Sequence, residues 1–204
     1  MRPLFLWAFA ATSLWAEDFT YWIEPCSAEI AQESRCVLGD PELAGWALAA
    51  WQRAAQPNLA FSTAVEDHAR IRFYWASRST RLYGEAHPIM VEGRRGAAIY
   101  VNPDVSQLGE NISAAAKRDP LLRDAIVYLT CLHESGHAVG LSHTGKFEDI
   151  MYSFGYGGDI LEYFERYRRQ LSERRDIRGH SAISPHDHQR LLDLFGKRPG
   201  AGLP

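Results

Sequence analysis

The chain has 204 residues and a formal net charge of −3, from 22 basic and 25 acidic side chains. A length of this order suits one domain, or one domain divided by a cleft, with a sizeable buried core. So even a charge balance excludes a nucleic-acid footprint and a polybasic membrane surface as organising features.

The N-terminus reads as a secretory signal peptide over residues 1–16. Met1-Arg2 is a short positive region, Pro3 to Trp15 is apolar apart from Thr12 and Ser13, and Glu17-Asp18 follows Ala16. Cleavage is expected near Ala16, with the bond after Ser13 as the alternative and a buried N-terminal helix as the competing reading. The apolar run is too short for a bilayer span, so no transmembrane anchor is expected. Export would place three cysteines in an oxidising compartment. Cys26 and Cys36 flank a short polar stretch and can close a disulfide loop, or both can stay free; Cys131 is left over.

Phe19 to Ile23 alternates aromatic and polar residues, as a strand does. Asp40-Pro41 is expected to open a helix, with Asp40 as cap and Pro41 in the first turn. Leu43, Trp46, Ala47, Ala50, Trp51 and Ala54 follow at helical spacing, a core-packing stripe. Leu59 to Val65 and Ala69 to Trp75 are two further strands. Gly84, Pro88, Gly93 and Gly96 mark the next stretch as loop, and Ala97 to Val101 is a short strand ended by Asn102-Pro103. Asp119-Pro120 starts a long helix that runs to Gly140, and Ser184-Pro185 starts the last one, which stops at Gly196. Residues 197–204 read as a tail.

The chemistry is concentrated in His133-Glu134-Ser135-Gly136-His137-Ala138-Val139-Gly140-Leu141-Ser142-His143. His133 and His137 stand one helical turn apart, so both imidazoles leave the same face and can meet one Zn²⁺. Glu134 lies about 100° further round the helix, beside such a metal rather than on it, where a general base belongs. Gly140 can adopt the left-handed backbone that ends a helix, letting His143 return as third ligand. Three protein ligands leave a position for water, the mark of a catalytic rather than a structural zinc site. Cys131, about 200° from His133, points away from the metal. His180, His186 and His188 read as solvated or capping residues.

This stretch resembles the zinc motif of the metzincins. Thr144 after the third histidine, and Asp149-Ile150-Met151-Tyr152 with Met151 eight residues beyond His143, resemble the matrixin branch and its Met-turn. The resemblance covers roughly Asp18 to Gly196. It implies an α+β, zincin-like fold: a twisted, mostly parallel sheet with one antiparallel edge strand, an active-site helix beneath it, and a small C-terminal subdomain after the third histidine. On that reading residues 17–204 form the catalytic domain, with an N-terminal subdomain to about 140, a C-terminal subdomain over 141–196 and an inserted helical segment at about 154–182. Ala97 to Val101, with Ala98, Ile99 and Tyr100 at its centre, would be the edge strand that pairs with an extended substrate.

The implied activity is secreted or periplasmic, monomeric, zinc-dependent endopeptidase cleavage of a protein or peptide, with Glu134 as base and Met151 as the apolar floor of the site. One catalytic zinc is expected and nucleic acid is not. The second, structural zinc of many matrixins is not expected, because only His68 and His87 lie nearby and Tyr100 stands where a ligand would be; calcium is left open. Ser153 replaces the family's usual proline, and a long insertion follows. In it Ile160, Leu161, Phe164, Tyr167 and Leu171 recur at helical spacing, which predicts an added amphipathic helix that either packs as an ornament or borders the cleft. Two rivals are a pseudo-protease that binds peptides without cutting them and a zinc-stabilised interaction domain. Metal analysis with casein zymography separates the three.

Overall fold

The structure, a computed structural model, describes residues 16–80 and 83–196. The expected leader lies, except for Ala16, outside the described residues, as does the tail. Five strands form one sheet: β1 (Glu17–Ile23), β2 (Leu59–Thr63), β3 (Ile71–Trp75), β4 (Gly84–Val91) and β5 (Arg94–Val101), in the order β2-β1-β3-β5-β4. β1, β2, β3 and β5 run parallel, and β4 alone pairs antiparallel, on β5. The described helices are α1 (Ala28–Ser34), α2 (Asp40–Ala55), α3 (Glu110–Arg118), α4 (Pro120–Ala138), α5 (Ile160–Arg168) and α6 (Pro185–Phe195). The architecture is thus mixed α/β with a mostly parallel sheet. Among the described residues no helix is long and apolar enough to cross a membrane.

The expected edge strand is corrected here. Ala98, Ile99 and Tyr100 lie on β5, which is hydrogen-bonded to β3 on one side and β4 on the other, so its backbone is already paired. Among the described residues the outer strands are β2 and, beyond β5, β4, in the stretch whose Gly84, Pro88 and Gly93 signal a loop. An edge strand tolerates proline because its outward N–H needs no ladder partner. β4 turns into β5 through Glu92 and Gly93, both at positive φ (51° and 74°), the backbone of a type I′ hairpin. Glutamate is not the asparagine or aspartate that usually announces such a turn.

β3 alternates: Ile71, Phe73 and Trp75 are buried, and Arg72 and Tyr74 face the other side. Helices α2 and α4 pack beneath the sheet around Trp51, whose indole N–H donates to the Leu132 carbonyl (2.9 Å) and the Ser135 hydroxyl (3.1 Å). The cap of α2 differs from expectation. Gly39 takes the cap position, and Asp40 turns its fully buried carboxylate to the Val37 amide (2.9 Å) and the Arg123 guanidinium of α4 (2.7 Å at Nη2). The pair joins the two helix starts, and its long-range partner gives no local signal. Asp119 does cap α4, accepting from Leu121 and Leu122, with Pro120 at the first helical position.

Cys26 and Cys36 lie at disulfide distance, with Cα atoms 6.0 Å apart, and Cys131 is free and fully buried. Mass spectrometry of the exported, non-reduced protein is expected to find Cys26 joined to Cys36 and Cys131 as the thiol. Closing a loop of this length contributes about 3 kcal/mol in the chain-entropy model. Free thiol at Cys26 and Cys36 would contradict it.

Candidate metal centre

Helix α4 carries two of the three histidines on one face, and its end brings in the third. The Gly140 amide donates to His137 O (3.0 Å) and the Leu141 amide to Gly136 O (2.9 Å), with Gly140 at φ 109°. These two bonds are the paired closure of a Schellman cap, which reverses the chain at a residue without a Cβ. His143 therefore returns toward His133 and His137, and its Nε2 stands 3.1 Å from the Nε2 of each. One ligand atom from each of the three lies within 4.8 Å of the others.

The opposite ring nitrogens determine what this cluster presents. His133 Nδ1 faces the Ile150 carbonyl at 2.6 Å, and His137 Nδ1 faces the Leu141 carbonyl at 2.8 Å. A carbonyl only accepts, so each Nδ1 carries the proton and each Nε2 is left with its lone pair turned inward. Bare nitrogens this close repel unless a cation or proton sits among them. Tetrahedral ligands at 2.0–2.1 Å from one zinc would stand roughly 3.3 Å apart, so the spacing fits such an ion. Burial lowers the pKa of both imidazoles, that of His133 to about 4, with the neighbouring imidazoles adding to the effect. Both are neutral, ligand-competent groups at neutral pH.

Glu134 is buried, and its carboxylate lines the same cavity as His133 and His143. Burial, with Glu85 adding a like charge, raises its pKa to about 8. A divalent cation on the histidines would act in the opposite direction and favour the carboxylate. The start of the edge strand reaches this group directly. A Cβ built on Gly84 would lie 2.7 Å from Glu134 Oε1 and 2.6 Å from Thr130 Cγ2, so only glycine lets β4 come this near. No local pattern in the sequence marks that role for Gly84.

Met151 is fully buried, and its sulfur would lie 2.4 Å from a Cβ at Gly136. Gly136 and Met151 thus interlock, with the glycine of α4 leaving room for the methionine sulfur. The turn bearing Met151 is held by Thr144, which donates its amide to Met151 O (2.8 Å) and accepts from the Ser153 amide (3.1 Å). From α6, Asp187 accepts from the Ile150 amide (2.6 Å). Ser184 and His186 bond the Asp149 carboxylate (2.7 and 2.6 Å). Burial alone would raise the Asp149 carboxyl; those bonds outweigh it and hold it below its usual value. Among the residues read as capping, His186 is in fact part of this network, while His188 contacts Ala54 O (2.9 Å) and His180 contacts Asp176 O (3.0 Å).

Beside the histidines lies a cavity of about 280 Å³, walled by Leu129 and Thr130 of α4 and by Tyr152, Phe154, Tyr163 and Phe164. The last two belong to α5, the helix expected in the insertion. That segment packs into the core and also lines this cavity. Tyr163, Phe164, Tyr167, Leu171 and Ile177 are core residues, and Tyr163 and Phe164 also face the cavity. Comparison with protein-family models and with curated proteins gives no match.

Proposed function

We propose that the chain is a secreted or periplasmic zinc-dependent endopeptidase of the matrixin type, within the metzincins. The observation that carries this reading is the convergence of three imidazole Nε2 atoms beside the buried carboxylate of Glu134, at the wall of a cavity next to the antiparallel outer strand β4. The mostly parallel sheet with a single antiparallel edge supports the zincin-like fold. His133, His137 and His143 would hold the metal. Zinc in such a site lowers the pKa of water and polarises a carbonyl.

The chain's own groups supply the rest. Glu134 takes the proton of the attacking water and passes it to the leaving amine nitrogen, general acid–base work by one carboxylate. Its site beside Gly84 places it between the histidines and the edge strand. The outer strand β4, rather than β5, offers backbone that has no strand partner among the described residues to an extended peptide, a strand-addition mode of recognition. The cavity beyond the histidines is lined by aromatic and aliphatic groups and suits a large apolar side chain of the substrate. The pair Cys26–Cys36 supports export.

The test is cleavage of a diverse peptide library by the purified, metal-replete protein, with and without a zinc chelator. Cleavage that stops with the chelator and returns with zinc is expected. Stoichiometric zinc without any cleavage would instead favour a peptide-binding pseudo-protease.

A further inference from the structure

The two helical ligands are oriented by carbonyls of different origin. His137 uses Leu141 O, four residues away and part of the cap that ends its own helix. His133 uses Ile150 O, seventeen residues away on a separate turn. Its orientation is therefore only as firm as that turn.

Helix α5 grips the turn by three consecutive carbonyls. Tyr163 Oη donates to Asp149 O (3.1 Å) and Ile150 O (3.2 Å), and Arg166 Nη2 donates to Glu148 O (3.1 Å). Tyr163 and Arg166 are three residues apart and so share one helix face. The Arg166 guanidinium also lies over the rings of Tyr163 (4.4 Å) and Phe147 (5.2 Å), binding the two contacts into one unit. Tyr163 is buried, with Phe154 edge-on at 5.1 Å, so its hydroxyl cannot swing away. The Ile150 carbonyl has two lone pairs and accepts from both His133 and Tyr163.

We infer that Tyr163, supported by Arg166, is a positioning residue for the metal centre: the inserted helix holds the Ile150 carbonyl where it orients the His133 imidazole. The inference rests on the metal reading of the histidine cluster. It gives the insertion a task at the metal beyond lining the cavity. A group hydrogen-bonded directly to a ligating histidine, as the Ile150 carbonyl is, typically changes metal affinity by about 10–100-fold when lost, and Tyr163 acts one hydrogen bond further out, at the low end of that range.

The experiment compares the full chain with Tyr163→Phe, which keeps the ring and removes only the hydroxyl, and with Tyr167→Phe. The Tyr167 hydroxyl, one turn along the same helix, donates to His180 O (3.1 Å) and lies off the Met-turn. Zinc affinity is read by competition with a chromophoric chelator, and ligand geometry by the visible absorption of the Co²⁺-loaded protein. Tyr163→Phe is expected to weaken zinc severalfold, up to about 10-fold, and to shift the cobalt bands, while Tyr167→Phe leaves both unchanged. A Tyr163→Phe protein that folds and matches the wild type in both readouts overturns the inference. Equal losses in the two variants also overturn it, since they report general loosening of the helix. Should Tyr163→Phe not fold, Arg166→Gln decides: severalfold weaker zinc supports the clamp, and unchanged zinc overturns it. A wild-type protein that takes up no zinc would remove the metal reading and this inference together, a result distinct from all of these.

Discussion

Glu134→Gln is expected to lower turnover by about 10²–10⁴-fold, the range for loss of a general base, while zinc stays stoichiometric and the fold unchanged. Glutamine has nearly the same volume, so it fills the same place against Gly84 and Thr130, where a Cβ on Gly84 would already collide. What it lacks is the ability to hold the proton. The group that could hold a metal, His133, His137 and His143, does not include this carboxylate. The measurement is the rate of peptide cleavage beside the zinc content of the same preparation. A variant that cuts at near the wild-type rate would remove Glu134 from the mechanism. One that loses zinc as well would make it a structural partner of the site.

His137→Ala is expected to lose the metal itself, and with it both activity and zinc-dependent stability. Zinc at about a thousand times its Kd stabilises a native state by about 4 kcal/mol, a contribution the variant cannot receive. For a chain of this size that corresponds to a midpoint roughly 8–16 °C lower than the zinc-replete wild type. Without zinc the two proteins should melt close together. Thermal scans with zinc and with chelator therefore form a four-way comparison. An undiminished zinc-dependent shift in the variant would sink the assignment of His137.

The metal-free wild type has a pH signature of its own. Burial lowers the His133 pKa to about 4 and also lowers that of His137. An unfolded histidine takes its proton near pH 6.5, so as pH falls below that value the unfolded chain is protonated first and the folded one loses stability. The same lowering reduces proton competition for the lone pairs, so zinc should be retained into mildly acidic solution.

Much of the candidate metal centre is legible in the residue pattern because its geometry is local. Two histidines at i and i+4, a carboxylate between them and a glycine three residues on form a constellation through helical pitch and one left-handed backbone angle. The starts of α4 and α6 are equally local: Asp119 and Ser184 each bond amides within three residues. The helix of the insertion is legible because its apolar period repeats over three turns. α1 and α3 are not, being about two and two and a half turns long with a single large apolar residue each, Ile30 and Ile112.

The order of the strands, the cavity wall and the contact of Tyr163 with the turn bearing Met151 depend on folding. Strand order is a statement about which backbone groups remain unpaired, and a stretch with proline and glycines reads as loop until its pairing with β5 is seen. Gly84 meets Glu134 across 50 positions of sequence, and Tyr163 reaches Ile150 from a separate helix. In each case the decisive term is a contact between distant segments. Helical period and capping describe one segment at a time, and such a contact takes a place only when packing brings the two segments together.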